Sequence, residues 1–339
     1  NSCIVKFVVD EPDTSNWQKL STRVSYLNIQ SFCQDSLGYM WIATLHGLNR
    51  YNGYEFHQYF YDPKDSTSLD NDMVFALFID SFHRLWVGTL TGVNCYDFKH
   101  NRFIRYENKQ TYRSNVYSFY EDHAGNIWAA THFGLALLDT VHNLIQFPFS
   151  TNCIVHSVWE DNSQRLWMGT NRGLALCKNY SLLEFYPLPG NRQVTSKVFI
   201  DPNGKWWLGT DAGLVCFDPV SRTFEQLPAA CLEHPKLARS QINFIQETDQ
   251  LKLLIGTKSQ GLFQYDIISQ TLHNNNPWRL NEFQSSELLC CYVDRNNNVW
   301  IGSYDKGFTV WNKSLEFFNS ENQLTNLIKN KFVTRIIED

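Results

Sequence analysis

The stretch RLWMGTNRGL at 165–174 decides the architecture, because the chain writes it again and again. It recurs as GYMWIATLHGL at 38–48, RLWVGTLTGV at 84–93, NIWAATHFGL at 126–135 and KWWLGTDAGL at 205–214. Two looser copies follow, KLLIGTKSQGL at 252–262 and NVWIGSYDKGF at 298–308. Self-similarity at a period of 39 to 47 residues marks a radial or solenoid array. Asp35, Asp80, Asp122, Asp161, Asp201 and Asp294 each precede a tryptophan by six residues: Trp41, Trp86, Trp128, Trp167, Trp207 and Trp300. In the sixth repeat Thr248 stands for the aspartate and Leu254 for the tryptophan.

Each repeat reads as four short strands. The first is apolar, as in VFALFID at 74–80 or LLCCYVD at 288–294. The second is the WIGT run, the third the Gly-Leu run, and the fourth a looser segment such as RFIRY at 102–106. Evenly spaced strands of this length, parted by turn signals, point to an all-β sandwich, barrel or propeller. No window carries a 3.6-residue apolar period over ten residues, so no long helix is expected. The aspartate can accept a hydrogen bond from the backbone N–H two residues on, an Asx turn between the first and second strands. Six aspartates in such turns are a structural rather than a catalytic set. One tryptophan per repeat is suited to fill the seam between neighbouring sheets, hiding about 150–250 Å² each. The glycine after it belongs where a side chain would strike the next sheet.

Seven such units match a seven-bladed β-propeller of four-stranded antiparallel blades, and a parallel β-helix or a helical array does not fit. The expected layout is an N-terminal segment over 1–28, with CIVKFVV at 3–9 as a latch strand, and a propeller over 29–331. FVTRIIED at 332–339 reads as the first strand of an eighth repeat, so the chain is expected to be a fragment that continues into a following propeller.

Composition narrows the function. A net charge of −5 without a basic stripe argues against a nucleic-acid partner in this fragment. No apolar stretch reaches 18 residues, so any membrane attachment is expected through a helix outside this chain. Nine cysteines lack metal-ligand spacing and read as free buried thiols, with Cys290 and Cys291 pointing to opposite faces of one strand. There is no GxSxG elbow, HExxH helix or Walker loop. No catalytic residue, metal or cofactor is expected.

Binding residues are sought where the repeats differ. In a propeller the turns between second and third strands share a face with the inter-blade loops. That column holds His46, His132, Arg172, Asp211, Lys258, Tyr304 and Asp305, chemically varied where the tryptophan column is uniform. Loops add Tyr112 with Arg113 and Trp278 with Arg279; an indole can stack on a sugar ring while the guanidinium takes hydroxyls or a sulfate.

The stretch QDSLGYMWIATLHGLNRYNGYEF at 34–56 resembles a repeat of the two-component regulator propellers, as do EDHAGNIWAATHFGL at 121–135 and WEDNSQRLWMGTNRGL at 159–174. These are extracytoplasmic sensor regions of hybrid two-component systems in gut Bacteroidetes. The resemblance implies tandem propellers, a β-sandwich, one membrane helix, a histidine kinase, a receiver and a DNA-binding output domain. It also implies a periplasmic location, a homodimer and an oligosaccharide ligand released from host or dietary polysaccharide. The matched motif residues are scaffold residues, so no ligand position carries over. Two other readings stand beside it: a propeller that serves only for protein interaction or dimerisation, and a propeller lyase or hydrolase.

Overall fold

The computed structural model describes residues 5–6, 18–21, 24–108, 114–148, 153–178, 181–248, 251–273 and 287–311. Strand β1 (Val5–Lys6) and strand β2 (Gln18–Ser21) precede the first blade, which consists of β3 (Ile29–Gln34), β4 (Met40–Thr44), β5 (Gly47–Tyr51) and β6 (Phe56–Tyr59). These four pair antiparallel in chain order, and β2 adds to the outer edge of β6. Among the described residues the strands group into six sheets. One of these has eight strands, made of two four-stranded units joined where Glu107 and Asn108 pair in parallel with Leu144 and Ile145. The architecture is therefore that of a β-propeller with four-stranded antiparallel blades.

The aspartate turn and the tryptophan explain why each blade forms. In all six complete repeats one carboxylate oxygen accepts the N–H two residues on and the N–H four residues on, at 2.8 to 3.0 Å. The other oxygen accepts the indole N–H of the repeat's own tryptophan, at 2.8 to 3.2 Å. The six-residue spacing is thus a hydrogen-bond distance, a feature that the Asx-turn reading alone does not supply. A buried indole needs such a partner for its N–H.

All six rings are 7% exposed or less, and each lies between two blades. Trp41 packs on Val74, Leu77 and Leu85 of the second blade, and Trp86 on Val116 and Phe119 of the third. Trp128 packs on Val155 and Met168, Trp167 on Trp206 and Leu208, and Trp207 on Ile242 and Leu253. Leu254 takes the seam position in the sixth repeat, against Leu288 and Ile301. Trp300 then meets Ile29, Phe32 and Met40 of the first blade, so the series returns to its start. The glycine expected to avoid the next sheet does so: a Cβ on Gly88 would stand 2.7 Å from Val116, on Gly209 2.8 Å from Ile242 and on Gly302 2.8 Å from Ile29.

β1 pairs Val5 with Val310 and Lys6 with Thr309, adding an N-terminal strand to the sheet of the last repeat. Two short helices, Ala229–Leu232 and Pro235–Arg239, fill the connection between the fifth and sixth repeats. The eight described cysteines are free, six of them buried; Cys290 and Cys291 face different seams, as strand alternation requires. The segment 332–339 lies outside the described residues.

Candidate functional site

The face carrying the second-to-third strand turns is built by a repeated backbone device. The first turn residue of each of the seven repeats donates its N–H to the carbonyl just before the residue that bridges to the turn threonine or serine: Leu45 to Asn28, Leu90 to Met73, His132 to Asn115, Asn171 to Ile154, Asp211 to Gln193, Lys258 to Gln241 and Tyr304 to Glu287. A buried Thr or Ser closes each turn by donating to the glycine carbonyl, as Thr44 Oγ1 does to Gly47 at 2.8 Å and Ser303 Oγ to Gly307 at 2.9 Å. Backbone bonds hold the frame, so the turn side chains are left to vary. Turns and inter-blade loops share this face, as the sequence suggested.

The residues expected there have distinct surroundings. His46 packs its ring against Phe60, with centroids 5.4 Å apart, and against Tyr26 at 6.3 Å. His132 Nδ1 lies 3.3 Å from the Tyr117 hydroxyl, and its ring meets Phe133 edge-on. The Arg172 guanidinium sits 5.5 Å over Phe185. Asp211 accepts the Gln193 N–H at 3.0 Å and so has a local structural task. Lys258, Tyr304 and Asp305 are exposed at their turn tips. Tyr112, Arg113, Trp278 and Arg279 lie outside the described residues.

A second ring of residues escapes the turn-based reading. In six repeats the ladder between the innermost strand and its neighbour slips by one residue at the same register. The residue left over is Gln30, Phe75, Tyr117, His156, Asn243 or Leu289, each partly exposed. A bulge of this kind leaves one residue unpaired and re-aims its side chain. Tyr117 and His156, on neighbouring blades, bring their rings to 5.1 Å. With His132 they make a Tyr–His–His group beside the turn face. Burial, then the charge of His132, lowers the pKa of His156. These residues stand in one column, five before the repeat's aspartate, or before Thr248 in the sixth repeat. Variation within an otherwise apolar strand was the available signal.

Among the described residues no group of three or more His, Cys, Asp or Glu side chains is placed to hold a metal, and no helix is long and apolar enough to cross a membrane.

The two component regulator propeller model matches residues 24–46, 68–91 and 113–133, which fall in the first three repeats. The extracellular domain of a hybrid two component system of B. thetaiotaomicron superposes with a TM-score of 0.70 at 23% identity, covering 85% of this chain and 40% of that one. A second such domain from the same organism gives 0.71 at 16% identity, covering 92% and 43%. Virginiamycin B lyase from Staphylococcus aureus gives 0.67 at 12% identity, covering 87% and 99%. At these identities the likeness shows the propeller fold. The chain spans less than half of the length of the two-component neighbours. No curated protein matches the sequence.

Proposed function

We propose that this chain is a ligand-sensing propeller from the extracytoplasmic, periplasmic region of a hybrid two-component histidine kinase, and that it responds to oligosaccharides derived from polysaccharides. The kinase activity resides elsewhere in the intact protein, and the fragment itself is a binding rather than a catalytic unit. One observation supports this most directly. The repeats of the regulator family build one uniform face, held by aspartate–indole bonds, and one varied face of aromatic, basic and amide side chains. Such a face suits a polyhydroxylated ligand, with Tyr304 and Phe133 for stacking and Arg172 and Lys258 for hydroxyl or anionic groups.

Ligand bound across this face would favour one arrangement of a homodimer, and differential affinity for two arrangements is what would transmit the signal. Calorimetric titration of glycosaminoglycan, pectin, mannan and glucan fragments against the whole extracytoplasmic region tests the proposal. Binding that weakens in Arg172→Ala and Tyr304→Ala supports it. Silence across the panel counts against it and favours a pure interaction scaffold. The similarity in fold to a lyase makes a third outcome measurable: cleavage of a panel member by the purified chain would replace the sensing reading with an enzymatic one.

A further inference from the structure

The polar residues left over at the strand bulges are not alike. Gln30 donates its side-chain amide to Asn28 Oδ1. Asn243 accepts from Gln241 at 2.9 Å and donates to the Leu288 carbonyl at 2.8 Å. Both are tied to neighbouring protein groups. Tyr117 and His156 differ. Neither ring nitrogen of His156 has a hydrogen-bond partner among the described residues, and its ring lies against that of Tyr117, with centroids 5.1 Å apart and planes at 46°. The Tyr117 hydroxyl lies 3.3 Å from His132 Nδ1, which leaves Nε2 of that imidazole without a partner among the described residues.

The frame behind this group is fixed by hydrogen bonds. Ser118 Oγ donates to the carbonyl of His156 at 3.0 Å, tying the innermost strands of the third and fourth blades together at their two bulges. The His132 N–H donates to the Asn115 carbonyl, and Thr131 Oγ1 donates to the Gly134 carbonyl at 2.8 Å. The Phe133 N–H donates in turn to Thr131 Oγ1 at 3.2 Å. The turn thus presents two exposed rings, His132 and Phe133, which meet edge-on at 5.3 Å. Beside them stand the partly exposed rings of Tyr117 and His156. Bulges serve to aim side chains near functional sites, and groups held in place beforehand lose little freedom when a ligand arrives.

The chemistry of the group is uncharged. Burial pushes the Tyr117 phenol up, a hydrogen bond with the Asn115 side chain opposes it, and the net shift is upward, so the group stays a hydroxyl. Burial, then the charge of His132, pushes His156 below the ordinary value of 6.5, so its imidazole is neutral at about pH 7. Neither His132 nor His156 makes an ion pair among the described residues. A neutral imidazole has one N–H that donates and one bare nitrogen that accepts. A ligand hydroxyl both donates and accepts, so it can serve either nitrogen. A carboxylate or sulfate offers acceptors alone and would leave the bare nitrogens without a donor. Phe133 and Tyr117 add apolar faces suited to the C–H groups of a sugar ring, and Tyr117 a polar tip.

We propose that Tyr117, His132, Phe133 and His156 form a subsite between the third and fourth blades that takes a neutral, hydroxyl-bearing sugar ring, stacked on the aromatic faces with its hydroxyls hydrogen-bonded to the imidazoles. The subsite rests on the sensing proposal and deepens it by placing one sugar unit of the ligand. Arg172 and Tyr304, which test that proposal, are not part of it.

The test titrates the whole 339-residue chain with a glucan, a mannan and a galacturonate tetrasaccharide. A neutral tetrasaccharide should bind, weakened by about tenfold or more in Tyr117→Ala and His156→Ala. Affinity should be unchanged in His142→Ala, an exposed histidine at the aspartate end. Tyr117→Phe keeps the ring, and His132→Ala removes an exposed side chain, so both keep the packing; each should weaken binding by about threefold. With isotope-labelled histidine, the imidazole resonances of His132 and His156, assigned by their loss in the alanine variants, should shift on binding while that of His142 stays. Equal affinity in His156→Ala and Tyr117→Phe, or unshifted His132 and His156 resonances in the bound state, would each overturn the subsite. Binding of the galacturonate alone, through these residues, would overturn the neutral class. Binding weakened by Arg172→Ala and Tyr304→Ala but by none of the subsite variants would leave the sensing proposal standing and remove this one. No binding of any of the three sugars would overturn both.

Discussion

The two ends of the propeller follow opposite rules. At the aspartate end, the carboxylate in each of six repeats accepts the same three hydrogen bonds, and substitutions between repeats are few. At the turn end, the same backbone bonds recur seven times while the side chains run through Leu, His, Asn, Asp, Lys and Tyr. Stability is therefore secured by local pairs six residues apart, and the opposite face is free to diverge without endangering the fold. The sixth repeat shows how far the rule bends. With Thr248 and Leu254 it loses the aspartate–indole pair, yet Leu254 is buried and keeps the seam apolar.

The largest effect is expected from removing a seam ring. Trp128→Ala should destabilise by about 3–5 kcal/mol, read as a lower denaturant midpoint with an unchanged slope. A loss within 0.5 kcal/mol would show that the seam does not depend on the indole. The sixth repeat offers a sharper version. Leu254→Trp alone should cost about 1–3 kcal/mol by overpacking and by burying an unpartnered indole N–H. Adding Thr248→Asp should recover part of that loss, giving a measurable coupling in a double-mutant cycle; strict additivity would argue that the pair is not a unit.

The carboxylate predicts a pH dependence. Burial raises the pKa of Asp161, but hydrogen bonds from Trp167, Arg165 and Ser163 outweigh it, and the net shift is downward. A folded-state pKa below the unfolded value of about 3.9 stabilises the protein above that pH, and the gain is lost as pH falls through the lower folded value. Asp161→Asn should thus narrow the difference in stability between pH 5 and pH 3, measured by urea unfolding at both. An unchanged difference would show that other carboxylates govern acid sensitivity. The smallest effect belongs to the turn face: Lys258→Ala and Tyr304→Ala should leave stability within about 0.5 kcal/mol of wild type. A larger loss at either position would mean that the turn column is scaffold.

Much of this was legible because it is local. The Asx turns follow from Asp and the next four residues, and the glycine after the seam residue could be read as a clearance position. The aspartate–indole bond was not read, although its two members were aligned. The Asx turn explains only one carboxylate oxygen, and the use of the second depends on how the hairpin returns. The column of bulge residues was missed for a different reason. Tyr117, His156 and Asn243 sit in strands that read simply as apolar, and the slip in register that leaves them unpaired is visible only once each ladder is paired.

By itself the sequence determined the repeat, its four strands and the two columns, one constant and one varied, since these rest on period and on bonds between residues a few positions apart. The tertiary structure decided how the array closes: the return of Trp300 onto Ile29, Phe32 and Met40. Those contacts join residues far apart in the chain. They exist only because all the blades pack side by side, and no local pattern encodes which residue will then face the centre.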